Sequence, residues 1–193
     1  KKFYLNLYNE FNNPKTFKKI FKFVQPELDK IEERQKNKKY ILVNIKNKFL
    51  TKLSKFILNM FNISIVKIGF EFSLIKDGCY IPLHTDKTNK LISLMIYFPH
   101  TDENKSINEI DWGTCFYKIK NGKEKNLELW KSSFMDEIQA ANYMKNLEKF
   151  YQSKFTKNKL VGFLKSKNSY HNIEKILKKN ALRRSININY YIQ

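Results

Sequence analysis

The stretch HTDKTNKLISLMIYF, residues 84–98, decides the fold, because it joins two potential metal ligands to a strand. Side chains two residues apart point to the same face of an extended chain, so His84 and Asp86 can converge on one ion. Leu91–Phe98 has the apolar, β-branched and aromatic composition of a strand. We therefore predict a pair of metal ligands next to a β-rich core.

Two further histidines compete for a place at this site. His171 lies on a predicted strand, Ser169–Ile173, and would complete a set of two histidines and one carboxylate, which is typical of non-haem Fe(II) oxygenases. His100 and Asp102 repeat the His-x-Asp spacing, but they follow a proline and run into polar residues, which favours an exposed loop. A single His-x-Asp arises often by chance. The sequence favours His84, Asp86 and His171 as the ligands.

A candidate anion-binding residue, Arg183, directly precedes the last predicted strand, Arg184–Ile192. The forked guanidinium of Arg183 matches a carboxylate bidentately, although a one-residue slip in register would exchange it with Arg184. A surface position for this cation is the competing interpretation. One face of the strand carries polar side chains, as expected for the lining of a pocket: Arg183, Ser185, Asn187 and Asn189.

A second candidate, Tyr97, lies on the strand after Asp86 and shares a face with Ser93 and Met95. Simple core packing is the alternative interpretation for this tyrosine.

Short strands joined by turns, without alternating helices, predict a sandwich or a barrel. We expect strands at 40–45, 63–74, 80–86, 91–98, 111–119, 160–164, 169–173 and 184–192. Helical spacing predicts three earlier helices, at 14–24, at 27–36 after Pro26, and at 47–61. No repeat or flexible linker interrupts the chain, so we expect one domain over residues 1–193, with helical framing over 1–62 and the β core over 63–193.

One further helix is predicted between these strands, at residues 132–152 within the range 130–155. Ser133 and Asp136 have the spacing of a capping box. Apolar residues then recur at helical spacing: Phe134, Ile138, Ala141, Met144, Leu147 and Tyr151. We expect an amphipathic helix that packs on the outside of the sheet, with a wall or lid of the substrate pocket as the alternative.

The composition limits the cellular setting and the partners. The net charge of +19 suggests a polyanion, but nearly all of the excess is lysine, whereas arginine is the usual reader of bases and phosphates. No apolar run is long enough to cross a bilayer, and residues 1–15 do not resemble a signal peptide. Cys79 and Cys115 form no disulfide framework or metal-binding motif. We expect a cytoplasmic protein without membrane partners.

Several segments together resemble 2-oxoglutarate/Fe(II)-dependent dioxygenases of the prolyl-hydroxylase-like type. The matching pieces follow the family's order: HTDKTNKLISLMIYF (84–98), DWGTCFYK (111–118), KLVGFLKSKNSYHNI (159–173) and RRSININYY (183–191). The resemblance implies a jelly-roll (double-stranded β-helix, cupin-like) core with Fe(II) bound by His84, Asp86 and His171. It also implies that Arg183 and Ser185 bind the distal carboxylate of 2-oxoglutarate, helped by Tyr97. Trp112 and Asn172 depart from the family's usual small residues near the substrate pocket.

The expected activity is hydroxylation of a small molecule, a sugar or a peptide, with O2 consumed and succinate and CO2 released. Two alternatives stay open. A nucleic-acid-directed oxygenase would need a basic groove with stacking aromatic side chains that leads to the metal. A non-catalytic cupin-like binding module would show no metal-dependent decarboxylation.

Overall fold

The computed structural model describes residues 2–32, 34–43, 55–99, 112–120 and 137–193, and these form a mixed α+β protein made mostly of strands. The helices are α1 (Lys2–Phe11), α2 (Pro14–Leu28), α3 (residues 55–60) and α4 (Glu137–Met144). The strands are β1 (Lys39–Leu42), β2 (Ile63–Lys76), β3 (Ile81–His84), β4 (Lys90–Tyr97), β5 (Cys115–Ile119), β6 (Leu147–Gln152), β7 (Leu160–Leu164), β8 (Tyr170–Ile173) and β9 (Leu182–Ile192). Within the described ranges, no helix has the length and apolarity needed to cross a membrane.

The strands form two sheets. The order is β1-β2-β9-β4-β7 in the five-stranded sheet and β3-β8-β5-β6 in the four-stranded sheet. By their contacts the residues group into two compact units: unit 1 comprises Lys1–Phe70, Asn89–Ile92 and Ile188–Gln193, and unit 2 comprises Glu71–Thr88 and Ser93–Asn187. The four-stranded sheet lies wholly in unit 2. A single domain over residues 1–193 stays a prediction.

Unit 1 is held together by aromatic side chains of α2 that pack on the end of β9. The rings of Phe17 and Phe21 lie 4.1 Å apart, and each lies 5.7 Å from the ring of Tyr190. The Tyr190 hydroxyl donates a hydrogen bond to the carbonyl oxygen of Phe11 over 3.1 Å, which satisfies the polar end of this otherwise buried ring. Unit 1 therefore joins helix α2 to the end of β9.

α2 begins where it was predicted and extends further. Asn13 caps its first turn by accepting a hydrogen bond from the backbone N–H of Lys15 over 2.8 Å, and a proline occupies its first position. The predicted helix at 27–36 is wrong, since residues 29–32 and 34–38 form turns and irregular backbone. Pro26 lies in the last turn of α2, where its φ is compatible with a helix although its missing N–H removes one hydrogen bond to the preceding turn, and the buried Leu28 continues the apolar face.

Unit 2 has a core on each side of the four-stranded sheet. Alternation along β5 separates the two cores, because Phe116 belongs to one apolar cluster while Cys115 and Tyr117 belong to the other. The helix α4 packs against the second cluster through Ala140, Tyr143 and Met144. It therefore covers the side of the sheet opposite to Phe116, as the packing interpretation of this helix predicts.

The predicted helix over 132–152 is only partly correct. Residues 121–136 lie outside the described part of the chain, α4 covers Glu137–Met144, and Leu147–Gln152 forms strand β6. Leu147 and Tyr151 are four residues apart, a spacing that keeps two side chains on one side of a helix and also of a regular strand. This segment forms a strand because β6 pairs with β5 in the four-stranded sheet.

Candidate metal centre

The two candidate histidine ligands are direct cross-strand neighbours. His84 at the end of β3 pairs with His171 on β8, and their ring centroids lie 4.1 Å apart. The register between β3 and β8 shifts between Ile81 and His84. Such a bulge re-aims the side chains that follow it and is common beside functional sites. Next to this bulge, the imidazoles of His84 and His171 lie side by side, on the same side of the sheet as Phe116.

Both imidazoles are oriented by backbone carbonyl groups. Nδ1 of His84 lies 2.9 Å from the carbonyl oxygen of Pro82, and Nδ1 of His171 lies 2.9 Å from that of Ser169. A carbonyl oxygen can only accept a hydrogen bond, so each Nδ1 must carry the proton. In the neutral ring the lone pair then belongs to Nε2, and this arrangement is the usual one for metal-binding histidines. Each imidazole therefore has the orientation and tautomer needed to bind a metal ion through Nε2.

Asp86 completes the group just beyond the end of β3. Its side chain is buried, and Ser93 on β4 donates a hydrogen bond to Oδ2 over 2.7 Å. One possible ligand atom from each of His84, Asp86 and His171 lies within 4.8 Å of the others. Neighbouring ligands of an octahedral ion with bonds of about 2.1 Å lie about 3 Å apart, so small side-chain movements close this group on a cation. The three residues can hold a metal ion, as the sequence predicted.

Arg183 is a fully buried cation with an incompletely satisfied guanidinium. The residue is 1% exposed, Nε donates to the Trp112 carbonyl over 2.5 Å, and Nη1 donates to Ser185 Oγ over 3.2 Å. Nη2 has no hydrogen-bond partner among the described residues. Burial lowers the pKa of the guanidinium from its ordinary value, which the neighbouring Tyr97 opposes. Among the described residues no carboxylate pairs with this buried cation, and burying a charge without such a partner is costly.

Tyr97 is next to Arg183, but its hydroxyl has other partners within the fold. The guanidinium carbon of Arg183 lies 5.1 Å from the centre of the Tyr97 ring. The Tyr97 hydroxyl lies 2.7 Å from Ser153 Oγ and accepts a hydrogen bond from the backbone N–H of Thr114 over 3.2 Å. Gly113 permits this network, because a Cβ there would lie 1.5 Å from the Ser153 carbonyl oxygen. The role of Tyr97 as a ligand of 2-oxoglutarate stays a prediction.

A row of aromatic rings leads away from His171 and was not singled out from the sequence. The Phe116 ring stacks towards His171 at 6.2 Å, and the Tyr151 ring stacks towards Phe116 at 6.0 Å. Phe163 on β7 lies 4.5 Å from His171 and 5.3 Å from Phe116. The grouping depends on the register of distant strands, so local sequence patterns could not reveal it. Among the supporting residues of the site, strand alternation could indicate only Ser93, because it lies on the same face of its strand as Tyr97.

An open cleft of about 420 Å³ lies on the α4 side of the four-stranded sheet. It is lined by residues of β3, β8 and α4, among them Leu83, Asn172 and Met144. Leu83 and Tyr117 belong to the core opposite to Phe116, so this cleft does not lie on the side of the sheet that carries the candidate metal ligands. His100 and Asp102, the rival pair, lie outside the described residues.

No protein-family model and no curated protein matches this chain. The relation to 2-oxoglutarate/Fe(II) dioxygenases is therefore a proposal, and its support is the arrangement of the residues described above.

Proposed function

We propose that this chain is an Fe(II)- and 2-oxoglutarate-dependent dioxygenase that hydroxylates a small-molecule, sugar or peptidyl substrate. The observation that carries the proposal is the grouping of His84, Asp86 and His171, with both imidazoles turned so that Nε2 is the ligand atom. Two histidines and one carboxylate on one side of an ion leave positions open for a co-substrate and O2, which is the arrangement of non-haem Fe(II) oxygenases.

The strand order supports a double-stranded β-helix, or jelly roll, as the core. Neighbours in the two sheets pair from the ends of the chain inwards: β2 with β9, β3 with β8, β4 with β7 and β5 with β6. This pattern arises when one long antiparallel hairpin is rolled up into two facing sheets of four strands, and jelly rolls have eight strands in two sheets. β1 then extends one sheet by pairing in parallel with β2.

The environment of Arg183 supports 2-oxoglutarate as the co-substrate. Its guanidinium offers Nη2, which has no partner among the described residues, and it contacts Ser185 through Nη1. A dicarboxylate that binds the metal at one end would present its second carboxylate to such a cation, and a charge-assisted contact in a dry site is strong. Arg183 and Ser185 are the residues that would hold this carboxylate.

The chain's own residues would orient and support the reaction. Bound Fe(II) with 2-oxoglutarate would supply the oxidising chemistry: substrate C–H, 2-oxoglutarate and O2 give substrate C–OH, succinate and CO2. Ser93 holds Asp86 in place through Oδ2, and the carbonyl groups of Pro82 and Ser169 hold the two histidine rings. Such supporting contacts commonly change metal affinity by about 10- to 100-fold when they are removed.

The proposal is tested by measuring succinate formed from 2-oxoglutarate with added Fe(II) and a panel of candidate substrates. We expect metal-dependent succinate release that is abolished in His84→Ala and Asp86→Ala and retained in His100→Ala, the matched control in the rival His-x-Asp pair. Equal succinate formation in the wild type and in His84→Ala would contradict the proposal. Metal binding without any turnover of 2-oxoglutarate would instead indicate a binding module.

A further inference from the structure

The metal ligands and two aromatic residues form one continuous row across the four-stranded sheet. His84 pairs with His171, His171 with Phe116, and Phe116 with Tyr151, so the four residues occupy matching positions on β3, β8, β5 and β6. The planes of neighbouring rings along the aromatic part are nearly parallel, at 28° between Phe116 and His171 and 29° between Phe116 and Tyr151. The row therefore brings stacked aromatic rings up to the candidate metal ligands.

Tyr151 is the exposed end of this row, whereas the two middle residues are buried and His84 is half-buried. His171 and Phe116 are 7% and 8% exposed, whereas Tyr151 is 45% exposed. Tyr151 lies on β6, the last strand in the order of its sheet. Adjacent strands are about 4.8 Å apart, so the backbone of Tyr151 lies about 10 Å from that of His171. A ring with its substituents would span such a distance, from solvent at Tyr151 to His171.

The charges near this edge of the sheet favour recognition of an aromatic ring of the ligand rather than of the polyanionic backbone of a nucleic acid. Lys118 forms an ion pair with Glu148 over 3.5 Å, and Lys149 forms one with Glu174 over 2.9 Å. Lys118, which lies on the same side of β5 as Phe116, is thus compensated, whereas Lys149 is the cross-strand neighbour of Tyr117 and belongs to the opposite side of the sheet. Non-specific binding of single-stranded nucleic acid usually combines stacking with a groove of uncompensated positive charge.

We propose that Phe116 and Tyr151 form the substrate platform of this site, and that the substrate is a small molecule with a planar aromatic ring. The ring lies on Phe116, Tyr151 covers its solvent-facing end, and Phe163 closes the side next to His171. Aromatic rings prefer such offset-stacked and edge-on contacts with one another, with centroids 4.5–7 Å apart. This inference rests on the proposed function, since it takes the metal centre as the reacting end.

The test uses the full chain and two probes of similar size, benzamide and cyclohexanecarboxamide. Saturation-transfer NMR measures contact of each probe with the protein without any metal, and proton relaxation in the chain loaded with Mn(II) measures proximity to the metal. We expect benzamide to bind more tightly than its alicyclic counterpart and to relax faster when Mn(II) is present. Stacking of this kind predicts binding of benzamide about 2- to 10-fold weaker in Tyr151→Ala.

Two further variants separate the platform from general surface effects. Phe116→Leu keeps an apolar side chain but removes the ring, and it should weaken benzamide binding as Tyr151→Ala does. Phe150→Ala is the matched control, because Phe150 is 59% exposed and lies where the register between β5 and β6 shifts, outside the row. Equal binding of the two probes, or equal loss of benzamide in Phe150→Ala and Tyr151→Ala, would overturn the platform.

The same measurements distinguish failure of the platform from failure of the proposed function. Ring contact that depends on Tyr151, in a chain that binds no Mn(II), would count against the metal centre while keeping the ring site. Mn(II) binding without faster relaxation of benzamide would overturn the platform and leave the metal centre intact. An oligothymidylate that binds far more tightly than benzamide, with steep salt dependence, would overturn the small-molecule assignment in favour of a nucleobase.

Discussion

Replacement of Arg183 with methionine should separate ligand binding from folding. The side chain is fully buried, donates to the Trp112 carbonyl and to Ser185 Oγ, and leaves Nη2 without a partner among the described residues. Methionine has a comparable length and no charge. The substitution therefore removes a desolvated cation together with two hydrogen bonds.

The two effects on folding act in opposite directions. The lost hydrogen bonds of a charged donor destabilise by about 1.5–3 kcal/mol each at most. Removal of an incompletely paired buried charge relieves a desolvation penalty of several kcal/mol, and apolar replacement of buried ionic groups is often neutral or stabilising by about 1–4 kcal/mol. We expect the free energy of unfolding of Arg183→Met to stay within about 2 kcal/mol of the wild type, because these contributions offset.

The expected effect on the proposed binding of 2-oxoglutarate has no such compensation. Loss of one partner from a buried, hydrogen-bonded charge pair costs about 2–5 kcal/mol, which corresponds to about 30- to 5,000-fold in Kd. Calorimetry with Mn(II)-loaded protein measures this loss, and urea unfolding of the metal-free chain measures stability. Arg184→Met is the matched control, since it lies next in the chain and points to the other face of β9.

The outcome that would refute this reasoning is specific. An unchanged affinity for 2-oxoglutarate in Arg183→Met, with tight binding lost in Arg184→Met, would show that the neighbouring arginine receives the carboxylate. A loss of more than about 4 kcal/mol of stability would show that Arg183 is a structural cation whose contacts outweigh its desolvation.

Three further predictions concern a hydrogen bond to Asp86, the close backbone approach at Gly113 and the buried thiol of Cys115. Ser93→Ala removes the hydrogen bond to Asp86 Oδ2 and should weaken metal binding about 10- to 100-fold by metal titration, and unchanged affinity would exclude this supporting role. Gly113→Ala places a Cβ 1.5 Å from the Ser153 carbonyl oxygen, so we expect destabilisation by at least about 3 kcal/mol in urea unfolding, and a change below about 1 kcal/mol would contradict that close approach. Burial raises the pKa of Cys115 from 9.0 to about 11, so the folded state holds the proton longer than the unfolded state. Stability should therefore fall as the pH rises from about 9 to about 11, and less steeply in Cys115→Ala.

Two of the three candidate metal ligands, His84 and Asp86, could be predicted from the sequence because they depend on short-range alternation. His84 and Asp86 are two residues apart, and their convergence needs only extended backbone near the end of a strand. His171 was found by its position on a short strand, which the structure confirms as β8. Arg183 and Ser185 were placed on one face of the last strand, and both are buried on β9.

Features that depend on long-range pairing could not be predicted in the same way. Phe116 and Tyr151 come together because β5 pairs with both β8 and β6, across 35 residues of chain in one case. The Ser93 contact to Asp86 depends on how the chain turns between β3 and β4. Pro26 misled the helix assignment, since a proline in the last turn of a helix and one in a first turn look alike in the sequence.

The most direct test of the central claim is an anaerobic titration of the metal-free chain with Fe(II), measured together with His171→Ala and Asp86→Ala. The account predicts one tightly bound ion per chain in the wild type and loss of that tight binding in both variants, while urea unfolding shows that the variants remain folded. Binding of the same stoichiometry and affinity in the wild type and in His171→Ala would contradict it.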